Sequence, residues 1–220
     1  MKFLAALVHA AAAASSQAGA GPLALVFDSL APRDAEGEVI FLYQNRGVQF
    51  RSPPAAEGCD TASGSGDIDC TIGLKLEFVN FTVRTIHLPT NASMWLQADL
   101  CPSVEGNQTP ICSRVPKCKE SCGTPPRIPI QEFAEEVTFQ WTPPSPIVLQ
   151  PNTTYSFTAF SNGETLDDSP IWLNGAKEFT NKNDPNADVR VAYKDYPGGP
   201  WLARIFFDPR KVPSLQVYTS

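Results

Sequence analysis

Apolar and polar residues alternate with a period of two through most of this chain, and no segment sustains a 3.6-residue apolar repeat. Leu23, Leu25 and Phe27 alternate, and Val39 to Tyr43 and Val48 to Phe50 read as short strands. Leu74, Leu76 and Phe78 share one face, with Lys75 and Glu77 on the other. The apolar phase then shifts to Phe81 and Val83, which predicts a bulge or tight turn near Asn80. Met94, Leu96, Ala98 and Leu100 form a further strand, and Val137, Phe139 and Trp141 another. Tyr155-Phe157-Ala159, Val189-Val191-Tyr193, Trp201-Ala203-Ile205-Phe207 and Leu215-Val217 complete the set.

Between these segments lie 21 prolines and 14 glycines, in clusters such as "TPPSP" and "YPGGP". Proline cannot donate to a β-ladder, so the clusters mark loops and strand ends. Many short strands separated by turn signals predict an all-β fold, an antiparallel β-sandwich or jelly roll. Residues 21–220 suit one such domain, with residues 101–129 as its one long irregular insertion.

The first twenty residues read differently. Lys2 is followed by an apolar run from Phe3 to Ala14, broken only by His9, and by small residues ending in Ala18-Gly19-Ala20. That order is the pattern of a secretory signal peptide. The run falls short of the ~20 residues that span a bilayer, and the closing "LQVYTS" is too short and polar for a lipid-anchor signal. A secreted, extracellular protein is expected, with no transmembrane segment.

The cysteines agree with that compartment. Cys59, Cys70, Cys101, Cys112, Cys118 and Cys122 all follow the leader, an even set that predicts three disulfides. Proximity within one Gly/Ser-rich loop favours Cys59 with Cys70, and the other four can pair sequentially or nested. Four Asn-x-Ser/Thr patterns, at Asn80, Asn91, Asn107 and Asn152, mark a glycoprotein. Setting Lys2 aside with the leader leaves 16 basic against 23 acidic residues, a net charge of −7 with no basic run. Nucleic acid is excluded as a partner on that charge pattern.

The stretch "VLQPNTTYSF" brings these features together. Asn152 needs solvent to carry a glycan, yet Tyr155 and Phe157 three and five residues on alternate as core residues. A turn at Pro151-Asn152 on the sandwich rim reconciles the two, because packed sheets lie only ~10 Å apart.

Several segments resemble the choice-of-anchor R domains. "ALVFDSL" followed by "VQF" is similar to that family's "YDNL…F" opening, and "SMWLQADLCPSVEGNQTP" to its strand with a Gly/Pro loop. "VTFQWTPPSPIVLQPNTTYSFTAF", "IWLNG" and "SLQVYTS" follow in the family's order, so the resemblance runs over residues 24–220. It implies an extracellular β-rich domain without an established activity. Members often carry a C-terminal anchoring tail; "SLQVYTS" is not one, and the cysteine-rich insertion and sequons are departures, so anchoring is not implied.

Candidate chemistry is sparse. Asp184, Asn186 and Asp188 stand at i, i+2, i+4 with Asp195 beyond, a spacing of hard oxygens that can wrap calcium. Pro185 and Val189 interrupt that pattern, and a polar loop explains the same residues. No other cofactor is implied. His87 is the one histidine after the leader and there is no G-x-S-x-G elbow, so no catalytic residue is assigned. In "RTIHLP", Ile86 and Leu88 should turn inward and His87 outward. Glu77 and Asp99 are the carboxylates that could share a sheet face.

Aromatics are the remaining lead. Trp141 belongs to an inward set. Trp95 has the opposite parity to Met94 and Leu96, while Trp172, Tyr196 and Trp201 read as loop residues. Exposed aromatic faces beside Asp and Asn side chains hold sugars on many sandwiches. Trp172, Asp167, Asp168 and Trp95 are therefore the candidate ligand residues, against the alternative that each tryptophan plugs an end of the sandwich. The expected function is a non-catalytic binding or structural module of the cell surface or matrix, with an extracellular carbohydrate or surface protein as partner. The alternatives are a polysaccharide-active hydrolase on a jelly roll and an adhesive protein using the Cys101–Cys122 insertion.

Overall fold

In a computed structural model, the described residues are 22–32, 34–42, 44–54, 73–91, 93–103, 110, 126–178, 190–194, 199–203 and 211–220. Their regular structure is entirely β. In chain order the strands are β1 (Ala24–Asp28), β2 (Gly37–Val39), β3 (Asn45–Arg51), β4 (Leu74–Arg84), β5 (Trp95–Pro102), β6 (Arg127–Pro129) and β7 (Val137–Trp141). They continue as β8 (Ile147–Leu149), β9 (Thr154–Ser161), β10 (Ile171–Glu178), β11 (Arg190–Lys194), β12 (Leu202–Ala203), β13 (Lys211–Pro213) and β14 (Gln216–Thr219).

Two antiparallel sheets form a sandwich. The first runs β1-β14-β4-β10-β13, with β2 on β10 and both β7 and β8 on β4; the second runs β12-β11-β3-β9-β5-β6. The inward sets of the two meet in an aromatic core. Phe157 of β9 lies 5.4 Å from Phe81, 5.5 Å from Trp141 and 5.9 Å from Trp172, all three from the first sheet. Phe27 and Phe50 make a further contact between the sheets at 5.8 Å. Edge and tilted geometries of this kind place positive ring edges on negative ring faces.

The strands with one clean apolar face fold as their alternation predicts. Leu96, Ala98 and Leu100 are buried in β5, and Val137, Phe139 and Trp141 in β7. Where the pattern is broken, bulges decide. β4 is one continuous strand through Asn80, and its phase change occurs at Glu77, where Thr219 pairs with Leu76 but Tyr218 with Phe78. That bulge turns Phe78 outward to stack on Tyr218 at 4.6 Å and brings Val79, Phe81 and Val83 into the core. The expected break near Asn80 therefore lies three residues earlier. A second register shift, between Leu25 and Phe27, exposes Leu25 and buries Phe27, so these two do not share a face as the alternation implied.

The Pro151-Asn152 turn joins β8 of the first sheet to β9 of the second. Asn152 is exposed and adopts φ 52°, a left-handed conformation that asparagine tolerates better than most residues. Its N–H donates to Pro53 O at 2.9 Å. Tyr155 and Phe157 are buried, and the Tyr155 hydroxyl accepts the Gln150 N–H at 2.8 Å. A tyrosine that hydrogen-bonds to backbone a few residues upstream is a known corner device of Greek-key sandwiches.

Buried serines tie the first sheet together. Ser214 Oγ accepts the Thr82 N–H at 2.9 Å, and Ser29 Oγ donates to Pro213 O at 2.9 Å. Gly175 lies against the same junction, where a Cβ would stand 1.8 Å from Ser29 O. The Asn174-Gly175 pair is thus strand interior, and the glycine is there for a close backbone approach.

Candidate functional site

The residues named from the sequence separate once they are placed. Trp172 is not in a loop. It lies in β10, opposite Val83 of β4, and is fully buried. Its Nε1 donates to Ser214 O at 2.8 Å and its ring meets Phe81 edge-on at 5.7 Å. A tryptophan with no exposed surface offers no face to a ligand, so the expectation of a sugar contact there is corrected: Trp172 is core. Asp167 and Asp168 sit on the exposed turn before β10. Asp168 Oδ1 accepts the Thr165 N–H at 2.7 Å, and that bond, helped by the Thr165 and Ser169 hydroxyls, holds its carboxyl below the usual range. Asp168 serves its own turn.

His87 lies in a turn after β4, exposed, with Nε2 donating to Ser169 O at 2.8 Å. Ile86 beside it is exposed and not inward, because β4 ends at Arg84. Glu77 and Asp99 stand on different sheets and form no carboxylate pair. Glu77 accepts Lys75 Nζ at 2.8 Å and the Ser220 hydroxyl at 2.5 Å, and the lysine holds its carboxyl low. Of the sequons, Asn91 and Asn152 are exposed at turns. Asn80 is half-buried in mid-strand between Gln140 and Gln216. Asn107, the calcium candidates Asp184, Asn186 and Asp188, Asp195, Tyr196, and every cysteine but Cys101 lie outside the described residues. Cys101 is not a free thiol.

Trp95 keeps its predicted place. It opens β5 on the outer face of the second sheet, because Leu96 beside it points into the core. The register of the sheet then gives it two neighbours. Arg127 of β6 stands opposite Gln97 and lays its guanidinium carbon 4.4 Å from the Trp95 ring centroid. Phe160 of β9 also stands opposite Gln97 and meets Trp95 edge-on at 5.8 Å. The Trp95 N–H is fixed by Asn162 Oδ1 at 2.8 Å, and the same amide donates to Ser93 O at 3.0 Å. Trp95 is half-buried and Arg127 exposed, at the β6 edge of the sheet.

Further along the same face the character becomes polar. Gln97, Thr158, Ser156 and Gln49 face outward on β5, β9 and β3, yet all four are buried. Gln49 Nε2 donates to Ser103 Oγ at 3.1 Å, which lies 3.2 Å from Ser156 Oγ. Asp99, opposite Thr158, is half-buried on the same face; burial pushes its carboxyl up, partly offset by the Leu100 N–H that donates to Oδ1 at 2.8 Å. Lys194 of β11 lies 5.0 Å from the Trp201 ring, and burial lowers the pKa of its ammonium.

The face therefore combines a cation–aromatic platform with a polar row. Arg127 was not legible as part of it: 32 positions separate it from Trp95, and only the β5–β6 register brings them together. Among the described residues no three His, Cys, Asp or Glu side chains are grouped to hold a metal ion, and no helix is long and apolar enough to cross a membrane. No protein-family model, curated protein or solved structure matches the chain. The resemblance to choice-of-anchor R domains thus stands on its quoted segments alone.

Proposed function

We propose that the protein is a secreted, disulfide-linked, non-catalytic glycoprotein module that binds carbohydrate at the outer face of its second sheet. The observation that carries this reading is the Arg127–Trp95–Phe160 row. Arg127 lies over the Trp95 ring, so its N–H groups offer donors to a sugar's hydroxyls while the uncovered indole edge and Phe160 offer apolar surface to its C–H groups. Such contacts are individually weak, so affinities of order micromolar to millimolar are expected. The leader, sequons and cysteines of the sequence support the compartment, and the non-free Cys101 fits the disulfide assignment.

The test is a glycan array probed with the secreted protein, followed by affinity electrophoresis of Trp95→Ala and Arg127→Ala. Retention by at least one glycan class, lost in both variants while their melting stays within a few degrees of the parent, supports the reading. An array without a signal sinks it. Release of shortened saccharides from a bound glycan would favour the hydrolase alternative.

A further inference from the structure

A cleft of about 660 Å³ opens on the first sheet, lined by Glu36, Gly37, Arg84, Ile171, Asn174 and Lys211 among others. Val83 of β4 and Trp172 of β10 pair in the core, so the next pair along, Arg84 and Ile171, faces outward into this cleft. Its floor is backbone. A Cβ on Gly37 would stand 2.2 Å from Trp172 O, so a side chain there would force β2 away from β10.

The two cations of the cleft differ. Lys211 is held by the Asp34 carboxylate, with Glu36 Oε2 at 3.7 Å, so its charge is neutralised at the rim. Arg84 has no ion pair among the described residues. Its Nη1 donates to a neutral partner, Ala35 O, at 2.8 Å, and its Nε is buried with no partner. An arginine with no carboxylate partner among the described residues has a planar fork that suits an anion with two oxygens in one plane.

The surroundings narrow the anion. Glu38 is paired with Arg46 at 3.3 Å, but Glu36 is exposed and Asp34 stands beside it, and this acidic rim penalises a dianionic phosphate more than a monoanionic carboxylate. The Glu36 carboxylate and the Asn174 side chain supply an acceptor and an amide suited to hydroxyls, and Ile171 supplies an apolar wall. We propose that this cleft binds a uronic acid, with the sugar carboxylate on the Nε–Nη2 edge of Arg84 and its hydroxyls toward Glu36 and Asn174. Nε is buried as the side chain stands, so in this proposal the side chain turns and releases Ala35 O for that edge to meet the ligand. The site is on the other sheet from the Trp95 platform and does not depend on it.

The test is titration of the full secreted chain with sodium glucuronate, followed by NMR or calorimetry, with glucose and glucose 6-sulfate as controls. Saturable glucuronate binding in the millimolar range is expected, at least about tenfold tighter than either control. Arg84→Gln should weaken it about tenfold or more, and Arg84→Lys, which keeps the charge but loses the fork, should also weaken it. Measured in a Trp95→Ala background, Arg84→Gln should weaken glucuronate binding by the same factor, which separates this site from the platform. Absence of saturation, equal binding of glucose or of the sulfate, or full affinity in a folded Arg84→Lys protein would each overturn the assignment.

Discussion

Replacing Trp172 by alanine tests the placement on which the rest of the architecture depends. The side chain is fully buried, in ring contact with Phe81 at 5.7 Å and Phe157 at 5.9 Å, and its Nε1 satisfies Ser214 O. Truncating a buried tryptophan typically costs about 3–5 kcal/mol, because the cavity left behind collapses only in part. Leaving the Ser214 carbonyl without its donor adds roughly 1 kcal/mol. Against a total stability of about 5–15 kcal/mol, that loss removes a large fraction. For a domain of this size each kcal/mol moves the melting midpoint by about 2–4 °C, so a drop of roughly 8–24 °C is expected. Trp172→Phe keeps most of the ring packing but loses the N–H, and should fall by only about 1–3 kcal/mol. Thermal melts by circular dichroism and urea midpoints on both variants give the numbers. A Trp172→Ala protein that melts within about 2 °C of the parent would refute the core placement, and with it the β4–β10 register.

Two further substitutions probe other features. Gly175→Ala places a methyl 1.8 Å from Ser29 O, a backbone atom fixed by the Ala176 N–H at 3.1 Å, so the strands must part. A loss at the upper end of the about 1–3 kcal/mol range for overpacking is expected in urea denaturation. An unchanged midpoint would mean that the backbones do not approach there. Asp99→Asn keeps the Oδ1 acceptor for the Leu100 N–H and removes the charge that burial disfavours. Because burial raises the folded carboxyl above its unfolded value, the contribution of Asp99 to stability is full below about pH 4 and declines as pH rises through the folded pKa. The variant should therefore be the more stable protein at pH 7, with the difference vanishing below about pH 4 in a denaturation series. A difference that widens on acidification contradicts the burial of Asp99.

The sandwich was legible wherever a strand has one face in the core. β5, β7 and β9 carry strict alternation, and the residues it singles out, such as Leu96, Phe139 and Phe157, are buried. β10 was missed because Ser169-Pro170 precedes it and Asn174-Gly175 interrupts it, and both pairs read as turns when only local chain geometry is considered. The glycine answers a contact with Ser29, 146 positions earlier, which no window along the chain contains. Trp172 followed from the same error: taken for a loop, the segment offered an exposed indole, whereas its pairing with Val83 makes it the centre of the core. The bulges at Glu77 and Val26 carry the same lesson at smaller scale. A one-residue register shift exchanges core and solvent faces, and its position is set by the partner strand β14.

The candidate sites show why function was harder to read than fold. Alternation is a property of one strand, so Trp95 could be assigned to the outer face from its parity alone. What makes Trp95 a candidate for binding is Arg127 and Phe160, which arrive from β6 and β9 through pairing. Arg84 is a stronger case. In sequence it is the last residue of a strand, and nothing nearby distinguishes it from any other surface cation. That it has no carboxylate partner among the described residues becomes visible only after Lys211, 127 positions later, has taken Asp34 and Glu36. Had those acids been paired with Arg84 and Lys211 left free, the cleft would hold a flexible point charge instead of a planar fork, and the proposed preference for a carboxylate would weaken. On the proposed reading, ligand choice depends on how the loops share out a few charges, which is set by tertiary contact and not by the period of the strands.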